Sequence, residues 1–179
     1  TITSVTYMAA NGLAAAATVT VSDFLSRGAY REARKAGFSM YHVNGLFMAG
    51  CGIMLVLLRD WLPTFFIDDA AVLQIAPVLL LFAAVFQLSD GFQVTGQSAL
   101  RGLADVRIPT VITFLAYWVV GLPLGYWLGI VQQWGVAGVW TGLVAGLSTA
   151  AIMLTVRFHR KTRITDTAPV RAERPSFNT

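Results

Sequence analysis

Hydrophobic and polar positions divide the chain into five long apolar runs with short polar breaks. The runs cover residues 2–25, 38–58, 70–100, 109–130 and 135–156. A bilayer core about 30 Å thick needs ~20 consecutive, mostly apolar helical residues, and each run reaches that length. None shows the strict alternation in ~10-residue segments that marks a membrane β-strand. The pattern therefore predicts an all-α fold, a polytopic transmembrane bundle of five spans over residues 1–160. Residues 161–179 mix Thr, Pro, Arg and Glu without apolar periodicity and read as a disordered basic tail. Local signals mark the breaks. Arg59-Asp60-Trp61-Leu62-Pro63 ends the second run. Pro109 opens the fourth at a first-turn position, where its missing N–H costs nothing. Residues 26–37, with Tyr30, Arg31, Arg34 and Lys35, predict a short interfacial helix. Trp61 and Trp134 suit anchors at the opposite interface.

Composition narrows the class. Hydrophobic residues make up 56% of the 179 positions and charged residues 12%. A soluble domain carries roughly 25% charged residues, so this chain lacks the charge to cover a soluble core. Single Cys51 has no intrachain disulfide partner. The 13 basic residues are distributed unevenly. Twelve of them lie in the break after the first run, the break after the third, or the segment after the fifth, and only Arg59 lies elsewhere. With five spans these three regions share one side. The positive-inside rule makes that side cytoplasmic and predicts a cytoplasmic C-terminus. Asp60, Asp68 and Asp69 fall in the opposite loop. The net charge of +4 is thus explained by inside-positive bias and anionic lipid, with no nucleic-acid partner. The start at Thr1 in place of Met predicts a fragment or a processed product.

Two features stand out within the runs. Gly121, Gly125 and Gly129 repeat every four residues in the fourth run, and Gly138, Gly142 and Gly146 do so in the fifth. Such a line of small residues lets two helix backbones approach closely in lipid. The short break at 132–134 makes antiparallel packing the expected arrangement, and Pro123 should bend the fourth helix. The second feature is Asp90, the one acidic residue well inside a run. A carboxylate near the bilayer centre costs at least ~2.5 kcal/mol and normally faces a bundle interior or a watered cavity. Phe86, Asp90, Gln93 and Gln97 fall within about 60° of one another on a helix. The stripe could carry a proton or a small cation; an Asp that merely hydrogen-bonds a neighbouring helix is the plainer alternative. Asp23, beside the basic break, suits a membrane-edge salt bridge. Aromatic residues such as Phe86, Tyr117 and Trp118 pack helices in most settings, and Phe86, Gln97 and Tyr117 are also candidate cavity-lining residues. Catalytic signatures are absent: there is no Walker lysine, GxSxG or HExxH, and His42 and His159 form no metal set. The chain reads as neither an enzyme nor an ATP-driven pump.

Several linked motifs carry a family resemblance. Asp90-Gly-Phe-Gln93-Val-Thr-Gly96-Gln-Ser-Ala-Leu100-Arg101-Gly102-Leu-Ala-Asp105 resembles the "D-x-x-Q … G-x-x-R-G-x-x-D" signature of multidrug and toxic compound extrusion (MATE) transporters. Tyr117-Trp118-Val-Val-Gly121-Leu122-Pro123-Leu124-Gly125-Tyr126 is similar to that family's "Y-W-x-x-G-L-P-L-G-Y" helix. Gly135-Val-Ala-Gly138-Val-Trp140-Thr-Gly142 resembles its "G-x-x-G-x-W-x-G" last helix, and Tyr30-Arg-Glu-Ala33-Arg34 its "G-D-Y-x-x-A-R" loop. The family has twelve helices in two lobes, and the resemblance implies that these are the last five, with seven helices preceding them. It further implies an integral protein of the bacterial inner membrane that exports cationic, amphiphilic drugs by antiport with H+ or Na+, with no other cofactor. Asp90 then matches the embedded acid implicated in cation coupling, and Gln93 the nearby glutamine. Two departures are visible. The glycine pattern expected over residues 20–28 is largely lost, and Phe86 stands where an aromatic hydroxyl is common, which weakens a sodium site relative to a proton site. Two rivals stand beside this reading: a flippase-like exporter of lipid-linked sugars, disfavoured by the lack of intramembrane Arg or Lys, and a truncated membrane fragment without transport activity.

Overall fold

Helices form where the apolar runs predict them, and two extend further. The computed structural model describes residues 2–65 and 70–167. Helix α1 covers Ile2–Ser26, α2 Tyr30–Leu57, α3 Ala70–Gly102, α4 Arg107–Val131 and α5 Val136–Thr167. A single 3-10 turn, Leu62–Phe65, follows α2. All five helices contain a stretch long and apolar enough to cross a membrane. Asp68 and Asp69 lie outside the described residues.

The expected interfacial helix does not form as a separate element. Residues 30–37 are instead the opening turns of α2, and only Arg27, Gly28 and Ala29 separate it from α1. Gly28 makes this tight link with φ +70°, a conformation that glycine adopts without a Cβ penalty. The helix continues because its buried face does: Ala33, Gly37, Tyr41, Asn44, Met48, Gly52 and Leu55 recur at helical spacing. The same holds at the other end of the chain. Leu147, Ala150, Leu154, Phe158 and Thr162 form one buried line, so α5 runs on to Thr167. The first seven residues assigned to a disordered tail are therefore helical, and residues 168–179 lie outside the described region.

At the heart of the bundle, α3 packs against α1, α2 and α5. Small residues make this possible. Ala10, Ala14, Ala17 and Val21 form the buried face of α1, and Gly102 of α3 rests on Val21 and the Thr18 carbonyl. Thr18 Oγ1 donates to the Ser98 carbonyl at 2.8 Å, a polar tie between the two helices. Phe158 of α5 is fully buried against Gly37 of α2, within a cluster that includes Tyr41, Ala99, Leu100 and Leu154. Large apolar side chains such as Leu46, Ile53, Leu57 and Ile152 point outward. Such a surface suits lipid and would be a liability in water.

The fourth helix is irregular. Two wide π-type stretches, Ala116–Gly121 and Trp127–Val131, flank a short α segment, Leu122–Tyr126. Pro123 lies in that segment and has no N–H to return to the preceding turn, so the local bonding pattern shifts. After α4 the chain reverses through Gln133 and Gly135, both with positive φ. The Trp134 and Gly135 amides close the end of α4 by donating to the Leu128 and Gly129 carbonyls at 3.1 Å each.

Candidate functional site

The polar stripe of α3 faces α4 and α5, and its members meet different partners. Gln93 is buried, and its Oε1 accepts a hydrogen bond from the Tyr117 hydroxyl of α4 at 3.0 Å. One turn along, Gln97 Nε2 donates to Thr113 Oγ1 at 2.9 Å. Thr113 in turn donates to the Pro109 carbonyl at 3.0 Å, which fixes the hydroxyl for its partner. Phe86 lies edge-on to Trp140 of α5, with ring centroids 5.9 Å apart. The contact that holds Phe86 is thus aromatic packing.

Asp90 sits between Phe86 and Gln93 on this stripe and is partly buried. Its carboxylate has no hydrogen-bond or ion-pair partner among the described residues. Asp90 and Tyr7 of α1 both lie within electrostatic range of Tyr117. The arrangement brings together one acid, one amide and one phenol from α3 and α4. The Tyr117 hydroxyl donates its proton to Gln93, and its oxygen keeps lone pairs for another donor or a cation. Phe86 offers no hydroxyl, so Tyr117 is the hydroxyl-bearing side chain of the group.

Behind this stripe, α3 carries a second set of polar residues toward α2. Asn44 is buried, and its Nδ2 donates to Thr95 Oγ1 at 2.7 Å and to the Gly91 carbonyl at 3.2 Å. Ser89, by contrast, faces α5 and pairs with Ser148 there at 2.9 Å. Asn44 is a lone amide in the middle of an apolar run, and that position could have marked it in the sequence.

The basic end of the bundle contains an ion-pair cluster that charge counting did not anticipate. Asp105, just after α3, is only 7% exposed. Its Oδ2 accepts from Arg157 Nε at 2.8 Å and lies 2.7 Å from a second Arg157 nitrogen, with Lys161 Nζ at 3.2 Å. These contacts anchor the α3–α4 link to α5. Asp23 of α1 pairs with Arg27, four residues on and just past the end of that helix, at 3.0 Å. That pair is well exposed and contributes little stability. No group of three or more potential metal ligands exists among the described residues.

The six glycines face one another across α4 and α5. A Cβ on Gly146 would come within 2.9 Å of Gly121 Cα; one on Gly142 would overlap the Gly125 backbone; one on Gly138 would strike Gly129. The order is antiparallel, as the short turn requires.

A lipid-facing five-helix bundle with an embedded carboxyl defines a polytopic membrane protein whose polar chemistry lies inside its spans. The sequence signature of the MatE family matches residues 1–127, and the chain belongs to that family of transporters. A probable multidrug resistance protein NorM from Xanthomonas campestris is 40% identical over 162 residues, which is 90% of this chain and 35% of that protein. Multidrug resistance protein PmpM from Pseudomonas aeruginosa is 42% identical over 162 residues, with 88% and 34% covered. The chain thus spans about a third of the length of these curated relatives. Among solved structures, the eukaryotic MATE transporter AtDTX14 superposes with a TM-score of 0.82 at 20% identity, over 92% of this chain and 38% of that one. An inward-facing multidrug resistance MATE family transporter of the MOP superfamily gives 0.83 at 17% identity, over 94% and 39%. These two likenesses show the fold.

Proposed function

We propose that the chain is the C-terminal part of a multidrug efflux transporter that exports cationic, amphiphilic compounds in exchange for H+ or Na+. The carrying observation is the Asp90 carboxyl, embedded in a span without a partner among the described residues and one turn from the Gln93–Tyr117 hydrogen bond. An intramembrane acid in such a setting marks an ion or substrate path by default. In this reading Asp90 takes the coupling cation, Gln93 and Tyr117 supply neutral oxygen ligands, and Gln97 lines the way in. A drug cation and the coupling ion then compete for one negative charge, which is the simplest basis for antiport. The NorM and PmpM relatives are multidrug resistance proteins by name, which supports drug efflux in general.

Asp90→Asn in the full-length transporter tests the reading. The expected result is loss of gradient-driven dye efflux with membrane insertion unchanged. Normal efflux by this variant removes Asp90 from the mechanism. Driving the wild type with a sodium gradient alone, and then with a pH gradient alone, identifies the ion. The same proposal places the C-terminus in the cytoplasm. A C-terminal reporter that is active only inside the cell should be active, and silence there reverses the orientation.

A further inference from the structure

At the basic end of α5 a groove of about 590 Å³ opens against α4, away from the Asp90 stripe. Its wall is apolar: Ile112 from α4, and Ile152, Met153 and Val156 from α5. Arg157, Arg160 and Lys161 close its end. The wall faces outward, with Ile152 64% exposed. The cations are not a loose surface cluster, because Asp105 clamps Arg157 and Lys161 through a single oxygen. Among the described residues the groove lining carries three cations and no carboxylate, and Asp105 behind it holds the Arg157 guanidinium in place.

We propose that this groove binds an anionic phospholipid, with its phosphodiester on Arg157, Arg160 and Lys161 and an acyl chain along Ile112, Ile152, Met153 and Val156. The two halves of the groove match the two halves of such a molecule. Arginine presents forked donors to phosphate oxygens, and basic pockets between helices at the membrane edge attract anionic headgroups. Inorganic phosphate would satisfy the cations and leave the apolar wall bare. A zwitterionic lipid would fill the wall but bring its own ammonium to a positive mouth.

Native mass spectrometry of the full chain in detergent, with phosphatidylglycerol and phosphatidylcholine as probes, tests this. Phosphatidylglycerol should be retained preferentially. In R160Q/K161Q its retention should fall by about fivefold for each charge removed, with phosphatidylcholine unaffected. In M153W, which fills the groove and keeps every charge, retention should also fall at an unchanged unfolding temperature. Should R160Q/K161Q fail to fold, M153W decides alone. Equal retention of the two lipids overturns the proposal, as does unchanged phosphatidylglycerol retention in M153W. Full displacement of the lipid by inorganic phosphate at matching concentration overturns the role of the acyl wall.

Discussion

Against α5, helix α4 lays backbone on backbone: Gly121, Gly125 and Gly129 meet Gly146, Gly142 and Gly138. Against α3, the same helix touches through side-chain tips, with Tyr117 on Gln93 and Thr113 beside Gln97. The first seam depends on close packing, which weakens steeply with sub-ångström separation. The second depends on hydrogen bonds that water, a cation or a substrate can replace at little net cost. A bundle that must open between helices has good reason to open at the second and keep the first. The seams therefore differ in what breaks them.

The largest expected effect is at the glycine seam. Gly142→Leu would drive a side chain into the Gly125 backbone and within reach of the Gly121 carbonyl oxygen, where even a Cβ would lie at 2.7 Å. Overpacking of this kind should cost about 3 kcal/mol, read as a lowered unfolding temperature in detergent. Asp105→Asn should come next, at about 1–2 kcal/mol: a fully buried pair would lose more, but the Arg157 and Lys161 side chains are 28% and 39% exposed and water screens them; the same thermal measurement checks it. Tyr117→Phe should cost about 0.6 kcal/mol, the average for an interhelical hydrogen bond in lipid. If the proposed function holds, efflux by the full-length transporter should fall by more than that loss of stability explains, and a parallel decline would make the bond merely structural. Gly121→Ala should be the mildest, within about 0.5 kcal/mol of wild type, since its Cβ would lie 3.5 Å from its neighbours and alanine favours the helix. A severe Gly121→Ala defect would show that the seam is tight on both sides.

That last contrast was hidden in the sequence, where Gly121, Gly125, Gly138 and Gly142 look equivalent. Spacing reveals that small residues line up, but only the crossing of the helices decides which of them has no room. Of these four, the tight positions are Gly138 and Gly142 of α5. The five spans were legible because lipid thickness sets a length that apolar runs must meet. Asp90 stood out in the sequence because a carboxylate inside an apolar run is costly, and in the structure it lies partly buried on the α3 stripe. The helical ends at 30–37 and 161–167 were misread because basic residues look like loop to a hydropathy reading. Ala33, Gly37, Phe158 and Thr162 nonetheless continue the buried faces through them. The Asp105–Arg157 pair was missed for a different reason. A count of cations orients a membrane protein but does not pair charges, and these partners lie 52 residues apart.

The π-type stretches of α4 have a geometric consequence for the glycine line. A four-residue step along an α-helix overshoots a full turn by about 40°, so glycines at that spacing should wind around the helix. A π-type turn takes more residues per revolution and rotates the other way relative to that step. Alternating the two, as α4 does around Pro123, cancels the drift and lets Gly121, Gly125 and Gly129 stay in file along one edge. The irregularity thus acts as a correction to the pitch of the screw. Removing one residue from the second stretch, which holds Gly129, would restore ideal winding there and carry Gly129 out of file with Gly121 and Gly125, so the deletion would tighten the helix while unseating it from its neighbour.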